Sequence, residues 1–217
     1  VKKLVAPLLA RNPDLALVGH LIALKPVHHI LRGIYIDRTG QARQCLPTSM
    51  VMELFFKRDD VVFGAEKRLW RDKPGIPGLW WLDDPEISAD LVTVAERDAL
   101  PRLRSIRTLQ DYLEAVLPKD PRELKFAWGI RFLFAVAMGD LDAARGFLES
   151  DRQNFYARQM NEFRPGLGDR LLKDGARVSA DDRQALADYL HACEAYTVGK
   201  LKVGHLWERT PFPIERQ

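Results

Sequence analysis

Near Pro85 the chain changes character. The residues before it are rich in β-branched and aromatic side chains set between turn formers, whereas those after it fall into segments that open with helix-capping residues. Such a chain is expected to form an α+β fold, with an N-terminal antiparallel hairpin or small sheet followed by a mainly α-helical half. At 217 residues it suits an α/β part over 1–84 and a helical part over 85–217, packed together as one globular unit.

The clearest strand signal is VHHILRGIYI, Val27 to Ile36. Asp37-Arg38-Thr39-Gly40-Gln41 then fits a three-residue hairpin loop closed by Gly40 in the left-handed conformation. The return strand is expected from Gln41 to about Leu46, and Pro47, having no amide to donate, predicts that this strand is an edge or ends there. The apolar piece MVMELFF, Met50 to Phe56, reads as a short helix or strand. RDKPGIPGLWWLDDP carries three prolines and two glycines, which predicts an irregular loop with Leu79 to Leu82 as a short extended piece inside it.

Beyond Pro85 the helices announce their starts. Asp84-Pro85-Glu86 opens one that is expected to reach Leu100, where Pro101 stops it. Thr108 begins TLQDYLEAV, with Leu109, Tyr112, Leu113 and Val116 on one face. Asp120-Pro121-Arg122-Glu123 forms a capping box for a helix ending at Met138, before Gly139. Asp140 caps LDAARGFLES. Ser179 and Asp182 open a further helix with Leu186, Tyr189, Leu190 and Cys193 on its apolar face, and Gly199 is expected to end it. FAWGIRFLFAVAMGDLDAARGFL has the look of a tetratricopeptide-like helix pair, but a solenoid needs about three stacked repeats, so a plain helical hairpin is favoured.

Composition removes several classes of function. The 33 basic and 30 acidic residues leave a net charge of +3, too small an excess to draw the chain to DNA or an acidic membrane. The basic cluster ERDALPRLRSIR (Arg97, Arg102, Arg104, Arg107) is interleaved with Glu96 and Asp98 and has no aromatic ladder, so it reads as a solvated connector rather than a nucleic-acid surface. No apolar run reaches the length of a membrane span. The N-terminal VKKLVAPLLARNPDLALVGH resembles a short signal peptide, but Arg11 and Asp14 interrupt its apolar patch. Cys45 and Cys193 belong to no CxxC pair, and free thiols point to a reducing cytoplasm. GxGxxG, Walker-type, GxSxG and HExxH motifs are absent. No cofactor and no metal are expected.

Five residues stand out as candidate contacts. His28 and His29 are adjacent, and on a strand successive side chains point to opposite faces. Helical ligand pairs need i,i+3 or i,i+4 spacing. The two imidazoles are therefore not one chelating unit, although either is free to act with a distant residue such as His20, Glu53 or Asp37. Arg32 falls on the strand face of Ile30, Ile34 and Ile36, where a buried guanidinium needs a carboxylate or several carbonyls. A helix-borne acid such as Glu53 is the favoured partner, and an incoming anion is the alternative. Of Trp80 and Trp81, one is expected to plug a core and the other to face a surface.

HHILRGIYIDRTG followed by the apolar LFF, and ALPRLRSIRTLQDYL followed by AVAMGDLDAARGFL, resemble small bacterial α+β domains of uncharacterised function that are loosely grouped with toxin-immunity proteins. The resemblance implies a bacterial cytoplasmic binding protein and supplies no catalytic residues. The leading expectation is a non-enzymatic interaction protein that binds a protein partner through the hairpin edge or the tryptophan loop. The alternative is a hydrolase or transferase without a known signature, using a histidine with Arg32 as anion anchor.

Overall fold

The computed structural model describes residues 1–38, 43–71, 80–116, 128–150 and 155–216. The architecture is α+β, with an antiparallel sheet in the N-terminal half and helices after it. The chain forms two compact units: residues 1–53, 60–116 and 201–208 make the first, and 54–59, 117–200 and 209–217 the second. The helices that follow Pro85 up to residue 116 thus belong with the sheet, so the units part later than the change in sequence character.

In the first unit, β1 (Leu15–Val18), β2 (Leu21–Leu24), β3 (Ile30–Arg38), β4 (Gln44–Glu53) and β5 (Gly64–Arg68) lie side by side in chain order, and β6 (Trp80–Trp81) also pairs with β4. The β3–β4 hairpin is the longest ladder, running from Ile30 opposite Glu53 to Arg38 opposite Cys45. Thr39, Gly40 and Gln41 of its expected loop lie outside the described residues. β3 starts at Ile30 rather than Val27, so His28 and His29 precede the strand.

The return strand differs from expectation in a second way. β4 passes straight through Pro47 and is paired on both sides, so it is no edge. β5 covers Thr48 to Val51 and β6 covers Gln44 and Cys45, which leaves Pro47 in the gap between them. Its missing amide falls where no ladder bond is lost, and its carbonyl still accepts from the Leu69 amide at 2.9 Å.

Around the sheet are α1 (Lys2–Arg11), α2 (Ile87–Val94), α3 (Leu100–Ser105) and α4 (Leu109–Val116). α1 buries Leu4, Val5 and Leu8 and packs on α2. Asp84 closes the turn just before α2, its Oδ1 accepting from the Glu86 amide at 2.9 Å, while Glu86 itself stands at the helix's N-cap position. Pro101 does not stop the helix as expected. A wider π turn at Ala95–Ala99 precedes it, and Pro101 sits in the first turn of α3. A regular helix would set the proline ring against the Arg97 carbonyl, and the wide turn removes that conflict. At α4 the Thr108 hydroxyl accepts from the Asp111 amide and Asp111 Oδ2 from the Thr108 amide, a reciprocal cap.

The second unit holds α5 (Trp128–Met138), α6 (Leu141–Ser150), α7 (Phe155–Phe163), α8 (Leu167–Asp174), α9 (Ala180–Leu201) and two short 3-10 turns, Gly175–Arg177 and Pro213–Arg216. The Asp120–Glu123 capping box lies outside the described residues. α5 and α6 form the expected helical hairpin, with Gly139 at φ +78° and Asp140 Oδ1 accepting from the Ala143 amide. α7 packs on α8 where Gly168 abuts the Ala157 backbone. The Ser179 hydroxyl caps α9 by accepting from the Asp182 amide, and it donates in turn to Asp182 Oδ2. Gly199 does not end that helix; it runs to Leu201 and Lys202 takes the left-handed conformation at φ +58°. Phe55 lies edge-on to Phe134 (4.9 Å) and Phe212 (5.6 Å) in the core of this unit. Among the described residues no helix is long and apolar enough to cross a membrane.

Candidate functional site

Arg32 is the point from which the site is built. It stands in β3 between Leu31 and Gly33, opposite Val51 of β4, with only 8% of its surface exposed. A guanidinium carries five N–H donors and stays charged in a protein. Here Nη1 donates to the Ile106 carbonyl at 2.8 Å and Nη2 to the Pro26 carbonyl at 3.1 Å. Glu53, the acid expected to neutralise it, lies on β4 instead of a helix and accepts a hydrogen bond from the Tyr112 hydroxyl at 2.7 Å. Among the described residues Arg32 makes no ion pair.

Both carbonyls are placed by the fold. Pro26 follows the end of β2 across a cis peptide bond from Lys25, and Ile106 lies in the short link between α3 and α4. That link also carries Arg107, and Arg104 sits in the last turn of α3. Arg32, Pro26, Arg104 and Arg107, with Leu24, Lys25 and His28, line an open cavity of about 320 Å³ on the first unit. Arg104 is neutralised: it grips Asp14 through two bonds of 2.9 and 3.0 Å, and Asn12 Oδ1 accepts from it at 2.8 Å. Arg107 donates to the Arg104 carbonyl at 3.1 Å, and its guanidinium, like the Lys25 ammonium, makes no ion pair among the described residues.

The charges register in the titration of the site. Burial first, and then the neighbouring Arg107 cation, pull the Arg32 guanidinium below the ordinary arginine value, with Asp14 opposing them. The hydrogen bonds from Arg104 hold the Asp14 carboxyl below its usual range. A buried cation satisfied only by carbonyl dipoles and facing two further cations is a setting that gains energy when an anion enters.

The histidines part company here, though not by strand alternation. His28 lines the cavity and its Nε2 lies 3.3 Å from Glu208 Oε2, with 35% of the imidazole exposed. His29 is buried and does not line it. Among the described residues no group of three His, Cys, Asp or Glu side chains is placed to hold a metal ion.

The tryptophans lie elsewhere. Trp80 is fully buried, its indole Nε1 donates to the Leu69 carbonyl at 2.7 Å, and Arg71 lies over its ring. Arg71 is in turn paired with Asp84 and Asp90. This enclosed cluster makes Trp80 a core residue and removes it as a partner contact, because its burial leaves no surface to offer. Trp81 is half-buried.

Lys25, Arg104 and Arg107 were not singled out by sequence for this role. The run RLRSIR signals a cluster of positive charge, but only the fold brings it to Arg32, 74 residues away from Ile106. Comparison with family models, with curated proteins and with solved structures finds no match to this chain.

Proposed function

We propose that this protein binds a small anionic ligand and that Arg32 anchors the ligand's charged group. The observation that carries the reading is the burial of Arg32 with carbonyl partners alone among the described residues, in a cavity also lined by Arg107 and Lys25, which make no ion pair among those residues. A cytoplasmic setting belongs to the same reading, since Cys45 and Cys193 are free, buried thiols suited to a reducing compartment.

The enzymatic alternative draws on the same anchor, with the His28–Glu208 pair at the cavity as its proton-transfer group. The protein-partner reading implied by the immunity-like resemblance loses the hairpin edge and Trp80 as contact points. What favours it now is the exposure of Trp70 (50%) and Phe63 (39%) on the first unit.

Phosphate is expected to stabilise the protein in a saturable way, beyond sodium chloride at equal ionic strength. At a hundredfold excess over Kd the gain is about 2.7 kcal/mol, or about 5–10 °C in Tm. Arg107→Gln should remove most of this increment while leaving the ligand-free Tm within about 2 °C. Arg32→Met should remove all of it, and should also lower the ligand-free Tm by stranding the Ile106 and Pro26 carbonyls. A rise that never saturates and is the same in Arg107→Gln would be a general salting effect and would end the proposal.

A further inference from the structure

Resting on the anion-binding reading above, we infer that the ligand is a phosphate monoester bound as its dianion. The argument is one of charge and shape. Of the cations around the cavity, Arg104 is cancelled by Asp14 and His28 faces Glu208, whereas Arg32, Arg107 and Lys25 stand without ion pairs among the described residues. Arg32 is buried while Arg107 and Lys25 are exposed at the cavity, so a monoanion would cancel one of the three charges and leave two like charges beside it, partly screened by solvent. A dianion cancels two, and a phosphate monoester carries between about −1.5 and −2 at pH 7.

The shape of the donor set agrees. A planar carboxylate is satisfied by one guanidinium fork. Here the donors come from three separate pieces of chain: Lys25 after β2, Arg32 within β3, and Arg107 before α4. The Arg32 fork already spends one donor from each terminal nitrogen on a carbonyl. Cationic donors supplied by three separate segments suit the three oxygens of a tetrahedral phosphoryl group better than the two oxygens of a carboxylate.

The rest of the cavity points to an ester in place of free phosphate. Leu24 and Pro26 supply an apolar wall beside the cations. A volume of about 320 Å³ lies at the small end of the range for small-molecule sites, roughly 300–1,000 Å³, and a phosphoryl group fills only part of it. The organic portion of a small ester would lie against Leu24 and Pro26.

Methyl phosphate and methyl sulfate separate these claims, because they share a shape and differ by one charge at pH 7.5. Titration calorimetry on the full chain at matched ionic strength should give methyl phosphate at least tenfold the affinity of methyl sulfate, and Arg107→Gln should shrink that preference to threefold or less. Phenyl phosphate should bind more tightly than inorganic phosphate. Equal affinity for methyl phosphate and methyl sulfate would overturn the dianion inference while leaving the anion site standing. Phenyl phosphate binding no better than inorganic phosphate would overturn the ester. Absence of binding by all four probes would overturn the anion-binding reading itself.

Discussion

Gly33→Ala is expected to lower the melting temperature by about 6–12 °C, a loss of about 3 kcal/mol. Gly33 lies in β3, opposite Ala23 of β2 and Met50 of β4, in the middle of the sheet. A Cβ there would fall against the Ile22 carbonyl oxygen, with the Ile22 carbonyl carbon at 3.2 Å and Leu21 Cδ1 at 3.0 Å. Leu21 can change rotamer, but the Ile22 carbonyl belongs to the β2 backbone and is held there by the ladder. The strands must therefore separate locally, and the neighbouring Arg32 would be carried with β3. Gly146→Ala is the control. Gly146 lies in α6 with open space where its Cβ would go, so the same change should stabilise by about 0.5–1 kcal/mol. If thermal unfolding shows both variants moving in the same direction, the close approach of β2 and β3 at Gly33 is not the constraint described.

The same glycine shows how far the sequence could be read. Gly33 within a strand pattern signals close approach of another backbone, and the approaching strand is β2. Yet β1 lies inside the stretch that resembles a signal peptide, VKKLVAPLLARNPDLALVGH, and β2 follows it directly; the two-residue turn Gly19-His20, with Gly19 at φ +61°, is the readable sign of that hairpin. Side-chain caps were legible because they are local: Thr108, Asp140 and Ser179 each act within a few residues. Chain terminators were less so. Pro47, Pro101 and Gly199 each carry a local preference that tertiary context overrode, through a gap in the ladder, a π turn, and a left-handed Lys202.

The site divides along the same line. That Arg32 is a buried charge in need of partners followed from strand alternation alone. Its partners did not, because a main-chain carbonyl has no sequence identity: Ile106 and Pro26 could have been any residues at those positions. Arg104 and Arg107 read as solvated because their local neighbours are acidic. Arg104 in fact finds Asp14, 90 residues away, and Arg107 remains for the cavity.

A second large effect is expected at His191, in the second unit. The imidazole is buried in α9, with Glu194 Oε2 at 3.5 Å from Nδ1 and Glu215 Oε2 at 3.0 Å from Nε2. Glu194 has no exposed surface, and the Phe212 ring lies 4.7 Å from the imidazole. Glu215 also accepts the Phe212 amide, so the cluster ties the C-terminal turn to α9. Burial is the largest single influence and disfavours the imidazolium. The Glu194 carboxylate beside Nδ1, the hydrogen bond to Glu215 and the charge of Glu215 outweigh it against a smaller opposing push from Arg209, and the histidine titrates above its ordinary value of 6.5.

The sign of the pH effect follows. A histidine whose folded pKa is raised contributes stability that is fully present below the unfolded value, about 6.5, and lost as pH rises through the folded value. Wild-type stability measured by urea unfolding should therefore decline as pH is raised above 6.5, and His191→Gln should flatten that limb. His191→Leu should cost about 3–5 kcal/mol near pH 6, because it removes the imidazolium that lies beside the buried Glu194 carboxylate. His191→Leu/Glu194→Leu should recover much of that loss, since removing both partners of a buried pair is milder than removing one. If the double variant is no more stable than His191→Leu, the cost lies in lost packing around Phe212 and the ion pair is not what holds the turn to α9.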